Sequence, residues 1–248
     1  MYIISGTTGL SIATKLATAL HTSLVNTTIK RFPDNELYIK INQDITNEEI
    51  IIVQSTYPDE KIIELLLLQN AVRQADAKHI TTIIPYYGYS RQDKQFNKGE
   101  TISAQVLAQH IEVDTDKILT VDPHKEHILN FFSVPAYSVS VIPEIAKYLQ
   151  KKSVNMLLAP DKGALSHTKE AATIMQCDCD YLEKNRIDGH TVKMKPKNLD
   201  VKGKNVAIVD DIISTGGTMA MAVQELKKQG AKKVYAACTH GLLSLIHI

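Results

Sequence analysis

The densest chemistry in the sequence lies in one run, Val206-Ala207-Ile208-Val209-Asp210-Asp211-Ile212-Ile213-Ser214-Thr215-Gly216-Gly217-Thr218. An apolar strand leads into two carboxylates, then into five small residues that open a helix. Gly216 and Gly217 tolerate unusual φ and close approach, so backbone N–H groups from Ser214 to Thr218 can turn toward an anion. The following helix aims its positive end at the same place. Thr215 and Thr218 add hydroxyl donors, which completes a phosphate cradle. Asp210 and Asp211 are expected at the carboxyl end of the strand, where open α/β sheets bind ligands. Adjacent carboxylates there can accept hydrogen bonds from two neighbouring sugar hydroxyls. An ordinary capped turn would account for one Asp before a helix, but not for both carboxylates together with the small residues. No Gly-Lys-Ser/Thr follows, so the run is not a P-loop.

Two further runs carry charge in suggestive places. Tyr86 to Glu100 is a polar loop of a length that is uncommon inside a compact domain and usually functional. It is expected to be mobile and to re-enter a helix capped by Thr101 or Ser103. Arg91, Lys94 and Lys98 can hold polyphosphate, and Arg can do so in bidentate fashion; a solvated charged loop is the plain alternative. Arg31-Phe32-Pro33-Asp34-Asn35-Glu36 places an exposed Phe between polar residues, suited to stacking on a base and accepting from its exocyclic amine. A simple hairpin turn accounts for the same residues. His124 and His127 are three apart, but no Cys or third His is near them in sequence, so a zinc pair is not supported.

These runs need a scaffold, and the hydrophobic pattern supplies it. Strands are expected at Tyr2-Ile4, Ile50-Val53, His79-Ile84, Lys117-Val121, Val154-Ala159, Asn205-Val209 and Lys233-Ala237. Several are nearly all apolar, as in strands buried on both faces of a parallel sheet. Helices are expected at Leu10-Leu20, Asp59-Ala75, Ser103-Ile111, Ile142-Gln150, Ala164-Gln176 and Thr218-Gln229. The alternation predicts an α/β fold with right-handed crossovers. Leu24 to Ile41 reads as a hairpin with a charged tip. Glu183 to Val201 is rich in Lys, Asp and Gly and has weak periodicity. A domain boundary is expected near Ser138-Pro143, giving two α/β halves.

Composition narrows the classes. A chain of 248 residues with 44% hydrophobic and 22% charged residues can bury a real core and is not disordered. Lys plus Arg number 28 against 27 Asp plus Glu, a net charge of +1, so an extended nucleic-acid footprint is not expected. Cys177, Cys179 and Cys238 are an odd set without zinc or redox spacing and read as free thiols in a reducing compartment. The N-terminus lacks a basic stretch before its apolar residues, and the apolar run at Leu65-Leu68 is far short of a membrane span, which needs roughly 20 residues. A soluble, cytoplasmic protein without nucleic-acid or membrane partners is expected.

The run Asp210 to Thr218 resembles the ribose-5-phosphate signature of the phosphoribosyltransferase superfamily. Many members carry Asp or Glu where this chain has Ser214, which keeps a hydroxyl and removes a charge. Further matches narrow the resemblance to the ribose-phosphate diphosphokinases. Val121-Asp122-Pro123-His124 is similar to their Asp-x-His segment, followed by Phe131-Phe132. Ala159-Pro160-Asp161-Lys162-Gly163 is similar to their Pro-Asp-x-Gly segment. Glu183-Lys184-Asn185-Arg186 resembles their catalytic Lys-x-Arg flap. The matches cover nearly the whole chain in the right order, and the Asp-Pro-His and Ser-Thr-Gly-Gly-Thr forms resemble the archaeal-type branch.

The resemblance implies two phosphoribosyltransferase-like domains, 1–140 with ATP-binding loops and 141–248 with the ribose 5-phosphate site. It implies an ATP site built from Phe32, Asp34, Asn35, Glu36, Arg91, Gln92 and Asp93, with the hairpin reaching a neighbouring subunit of a homo-oligomer. It implies Mg²⁺ at His124 and Asp161, catalysis by Lys184 and Arg186, and ribose 5-phosphate held by Arg186, Asp210, Asp211, Ser214, Thr215, Gly216, Gly217 and Thr218. The implied reaction is diphosphoryl transfer from ATP to the 1-hydroxyl of ribose 5-phosphate, with AMP released. A phosphoribosyltransferase that consumes the product would share the cradle but not the loop at Arg91 or the hairpin at Phe32. A non-catalytic phosphoribosyl-diphosphate-binding regulator would not need Lys184, Arg186 and His124. The family continues beyond Thr239-His240-Gly241-Leu242, whereas Leu243-Ser244-Leu245-Ile246-His247-Ile248 resembles translated sequencing-adapter read-through. A C-terminal truncation is therefore expected.

Overall fold

The computed structural model describes residues 1–186, 192–195 and 199–243; within it, 183–186 and 192–195 are described by backbone alone. The chain divides into two compact units, Met1–Val139 and Ser140–Ile248. Each is a mainly parallel sheet flanked by helices.

Unit 1 runs β1 (Tyr2–Ser5), α1 (Leu10–Ala19), β2 (Thr27–Arg31), β3 (Leu37–Ile41), β4 (Glu49–Val53), α2 (Glu60–Gln74), β5 (His79–Ile84), α3 (Ser103–Ile111), β6 (Lys117–Val121) and β7 (Ala136–Val139). Its sheet is all parallel, in the order β1-β4-β5-β6-β7. Strand alternation sorts the apolar residues to two faces. Ile4, Ile50, Ile52, Ile80, Ile84 and Ile118 pack with Leu65, Leu68 and Val72 of α2 and Leu107 and Ile111 of α3. Ile3 and Val53 instead meet Ala13 and Ala17 of α1. Each fully buried Ile or Leu contributes roughly 1.5–3 kcal/mol. β2 and β3 form a separate antiparallel hairpin, as the sequence pattern predicts.

Unit 2 runs α4 (Ile142–Lys151), β8 (Met156–Ala159), α5 (Leu165–Met175), β9 (Asp178–Tyr181), β10 (Glu183–Arg186), β11 (Val192–Lys195), β12 (Asn205–Ile213), α6 (Gly217–Lys228) and β13 (Lys233–Gly241). The sheet order is β13-β12-β8-β9, all parallel. Val206 and Ile208 face α6 through Met219, Ala222 and Leu226. Ala207 and Val209 face α4 and α5 through Ile142, Ala146, Leu149 and Ala171. Pro143 fits the first turn of α4, where no backbone donor is needed.

Several expectations are corrected. β12 continues past Val209 to Ile213, because pairing with β13 extends through Asp210↔Cys238 and Ile213↔Gly241. The two carboxylates therefore lie within the strand, not at its end. β8 begins at Met156 rather than Val154. The cap of α3 is Ile102, with no side-chain cap bond, in place of Thr101 or Ser103. β7 and β9 are edge strands that the apolar pattern does not show: Asp178-Cys179-Asp180-Tyr181 has weak strand propensity and pairs because β8 offers a free edge. The polar stretch from Glu183 contains an antiparallel pair, β10 with β11. Among the described residues no helix is long and apolar enough to cross a membrane.

Candidate active site

The sheet order of unit 2 fixes where its site sits. From β8 the chain adds β9 on one side, then returns to add β12 and β13 on the other. β8 and β12 are therefore neighbours at a switch point, and the crevice outside their carboxyl ends is the expected ligand site of an open α/β sheet. Asp161 follows β8 there, Asp210 and Asp211 lie in the last part of β12, and Ser214 to Thr218 leave it.

The cradle has the geometry that its small residues imply. Gly216 is the N-cap of α6 at φ 78°, ψ −7°, a left-handed conformation. It brings no side-chain cap, so the first-turn N–H groups of α6 keep their donor capacity for an anion. Thr215 Oγ1 lies 3.5 Å from the Gly217 nitrogen, and Ser214 and Thr218 are half-buried beside it. Leu242 N–H donates to the Ile213 carbonyl at 2.9 Å and holds the strand end from which the loop departs.

Asp211 is buried at 7% exposure, and its N–H donates to Asp210 Oδ1 at 3.0 Å. Burial first, then the hydrogen bond and charge of Asp211, then the charge of Asp161, push the Asp210 carboxyl up to about 8. The pair thus sets two carboxyl groups side by side, which suits two neighbouring sugar hydroxyls. Asp161 Oδ1 accepts from Gly163 N–H at 2.8 Å and Ala164 N–H at 3.3 Å, capping the short 3₁₀ turn before α5. Thr168 Oγ1 donates to the Val209 carbonyl at 3.3 Å and ties α5 to β12 just before the carboxylates.

Unit 1 holds the other set of expected residues. The tip of the β2–β3 hairpin is exposed: Phe32 is 45% exposed and packs edge-on against Tyr38 with centroids 5.4 Å apart. Phe32 N–H donates to the Glu36 carbonyl, Asn35 takes φ 73°, and Asp34 accepts from Glu36 N–H at 3.1 Å. The turn therefore presents an aromatic face beside fixed polar groups.

The loop after β5 carries a hydrogen-bond network of its own. Glu100 gathers Phe96 N–H, Asn97 N–H and the Asn97 amide, which together hold its carboxyl below the usual range. Gln92 Nε2 donates within the same loop, to the Lys94 carbonyl at 3.1 Å and weakly to Thr101 and Glu100. Tyr87 is buried and donates to the Ala104 carbonyl at 2.8 Å, anchoring the loop root on α3. Arg91 stands exposed, whereas Asp93 is only 9% exposed. His124 is half-buried and follows a turn at Asp122, which is buried at φ 34°.

The structure gathers Asp161 with Asp210 and Asp211, and Arg91 with Gln92 and Asp93. Lys184 and Arg186 lie on β10, in register with Met194 and Val192, and their side chains fall outside the described residues. Sequence reasoning missed two features. Cys238 sits opposite Asp210 in the sheet, where burial raises its thiol, so it is not a thiolate nucleophile. At the ends of β1 and β4, buried Glu64 accepts from Thr7 N–H, Thr7 Oγ1, Gln54 Nε2 and Lys61. The Thr7-Thr8 pair beside two glycines was the sequence signal for that network.

Fit to a divalent cation follows from the donor set. Among the described residues no three His, Cys, Asp or Glu converge as a cage. The carboxyl oxygens of Asp161 and Asp210 are hard donors of the kind Mg²⁺ accepts, usually one or two protein groups with water and substrate phosphates completing the shell. The Asp161 charge already raises Asp210, so extra positive charge there is favourable.

Two parallel sheets, one with a small-residue loop opening a helix at its switch point, define a protein of the phosphoribosyltransferase class. The profile described as "N-terminal domain of ribose phosphate pyrophosphokinase" matches residues 1–114, and that described as "Phosphoribosyl transferase domain" matches 139–243. The chain belongs to the ribose-phosphate pyrophosphokinase family. It is 42% identical to the ribose-phosphate pyrophosphokinase of Methanosarcina acetivorans, over 98% of this chain and 86% of that protein. It is 43% identical to the Pyrococcus furiosus one, over 89% and 80%. It is similar to the crystal structure of phosphoribosylpyrophosphate synthetase from Mycobacterium smegmatis, with TM-score 0.85 and 28% identity over 98% of this chain and 82% of that one.

Proposed function

We propose that this chain transfers the diphosphoryl group of ATP to the 1-hydroxyl of ribose 5-phosphate, giving 5-phosphoribosyl 1-diphosphate and AMP for nucleotide biosynthesis. The observation that carries this reading is the adjacent Asp210–Asp211 pair beside the Ser214–Thr218 loop, in a chain whose matched relatives bear the name of that enzyme. The cradle takes the 5-phosphate, and the carboxylates accept from the ribose hydroxyls. That fixes the sugar at both ends and orients its 1-hydroxyl. Phe32, Asp34, Asn35 and Glu36 take the adenine, with the hairpin lent to a neighbouring subunit of a homo-oligomer. Arg91, Gln92 and Asp93 form the ATP loop.

Such transfers need positioning and charge stabilisation more than covalent catalysis, so no protein nucleophile is assigned. The 1-hydroxyl attacks the β-phosphorus in line. Lys184 and Arg186 meet the charge that develops on the bridging oxygen and the transferred group, and Arg186 also contacts ribose 5-phosphate. His124 and Asp161 would hold Mg²⁺, which screens the phosphate oxygens when bound. On the same reading the protein works in the cytoplasm. Phosphorus NMR with ATP, Mg²⁺ and ribose 5-phosphate tests the reading. AMP with a new sugar-bound diphosphate signal supports it; absence of ribose-dependent AMP refutes it.

A further inference from the structure

Asp93 presents a problem that the proposed reaction does not explain. It follows the exposed Arg91 in a polar loop, yet it is only 9% exposed. A carboxylate taken that far out of water needs a partner. Among the described residues its carboxylate meets one charged or polar side chain: His127 Nε2 stands 3.2 Å from Asp93 Oδ2. His127 lies on the 3₁₀ segment Glu126–Phe131, three residues after His124, and packs edge-on against Phe131 at 5.9 Å. Its other side is open, with the imidazole about half exposed (49%).

The loop after β5 and the segment after β6 thus meet twice. Near the loop root the contact is apolar, Tyr87 edge-on against Phe132 at 5.9 Å. Further out it is polar, Asp93 with His127. The first contact fixes where the loop leaves the sheet. The second acts on the stretch Arg91 to Asp93, which α3 also holds through Ala104 N–H donating to the Gln92 carbonyl at 3.2 Å.

We propose that His127 is a positioning residue which, through Asp93, locks the Arg91–Gln92 stretch onto the segment that carries His124. His127 need not touch substrate. Its imidazole Nε2 stands within ion-pair reach of the Asp93 carboxylate, and the loop cannot swing out without breaking that contact. The proposal rests on the assignment of ATP to this loop, but the locking itself does not.

The test uses the full chain with His127→Ala, His127→Gln and Asp93→Asn. The Gln amide places a donor near the position of the imidazole Nε2, so it can reach the Asp93 carboxylate without the ring. Trypsin can cut after Arg91, Lys94 and Lys98, which gives a readout independent of turnover. His127→Ala is expected to speed cleavage there about three- to fivefold, the loss of one half-exposed ion pair. The KM for ATP should rise by a similar factor while the KM for ribose 5-phosphate stays within about twofold. His127→Gln should restore most of both. Asp93→Asn should loosen the loop as His127→Ala does, and the double variant should be no worse than either single one, which keeps the test open if one variant folds poorly. Wild-type cleavage and wild-type ATP KM in His127→Ala overturn the proposal. So does an equal rise in both KM values with a fall in Tm that Gln fails to rescue. If the wild type makes no ribose-dependent AMP but the cleavage pattern responds as stated, the lock stands and the assigned reaction falls.

Discussion

Replacing Gly216 by Ala isolates the cradle from the rest of the fold. Gly216 sits at φ 78°, ψ −7°, and a Cβ built there meets nothing within 4 Å. The penalty is therefore conformational, not steric. An L-residue held in the left-handed region costs about 1–2 kcal/mol. Against a typical domain stability of about 5–15 kcal/mol, the protein stays folded. If the loop relaxes out of its left-handed turn, that same energy must be restored when phosphate binds. The Kd for ribose 5-phosphate should then rise about 5- to 30-fold, since 1.4 kcal/mol is a factor of ten. Gly216→Asn should lose less, because Asn enters the left-handed region more readily. Isothermal titration with ribose 5-phosphate measures the shift, and scanning calorimetry confirms folding. A Kd within twofold of wild type in folded Gly216→Ala, or equal losses for Ala and Asn, would refute the reasoning.

Other perturbations follow from the same geometry. Asp210 is raised in the folded protein from an ordinary value of 3.8, so the folded state keeps a proton that the unfolded chain gives up. Its contribution to stability is then fully present below about pH 4 and is lost as pH rises toward about 8. Asp210→Asn should raise Tm at pH 8, show a shrinking difference toward pH 4, and abolish ribose 5-phosphate binding; parallel Tm profiles would count against the burial argument. Glu64→Ala removes the acceptor of Thr7, Gln54 and Lys61 and should cost about 3 kcal/mol in urea unfolding. A midpoint unchanged from wild type would show that the network is not stabilising. Lys184→Ala should lower kcat for AMP formation far more than it alters ATP affinity, and unaltered turnover would remove Lys184 from the chemistry.

Much of the site was readable because its chemistry is local. Asp210 to Thr218 places carboxylates, small residues and a helix start in one run, so backbone geometry alone assembles the cradle. The α/β alternation was readable for the same reason: buried parallel strands are nearly all apolar, and their helices repeat Leu65, Leu68 and Val72 on one face. β7 and β9 were not readable, since edge strands form through a neighbour's free edge and not through their own pattern, and among the described residues the polar β10 and β11 pair only with each other.

The sequence by itself determined which residues could bind phosphate and sugar, and where the apolar faces fall. Tertiary structure decided the rest. Only the order β13-β12-β8-β9 brings Asp161 to Asp210 across 49 positions, close enough for one charge to raise the other. Only the packing of two loops pairs Asp93 with His127. Burial and through-space charge depend on neighbours that folding supplies, and no spacing along the chain encodes them.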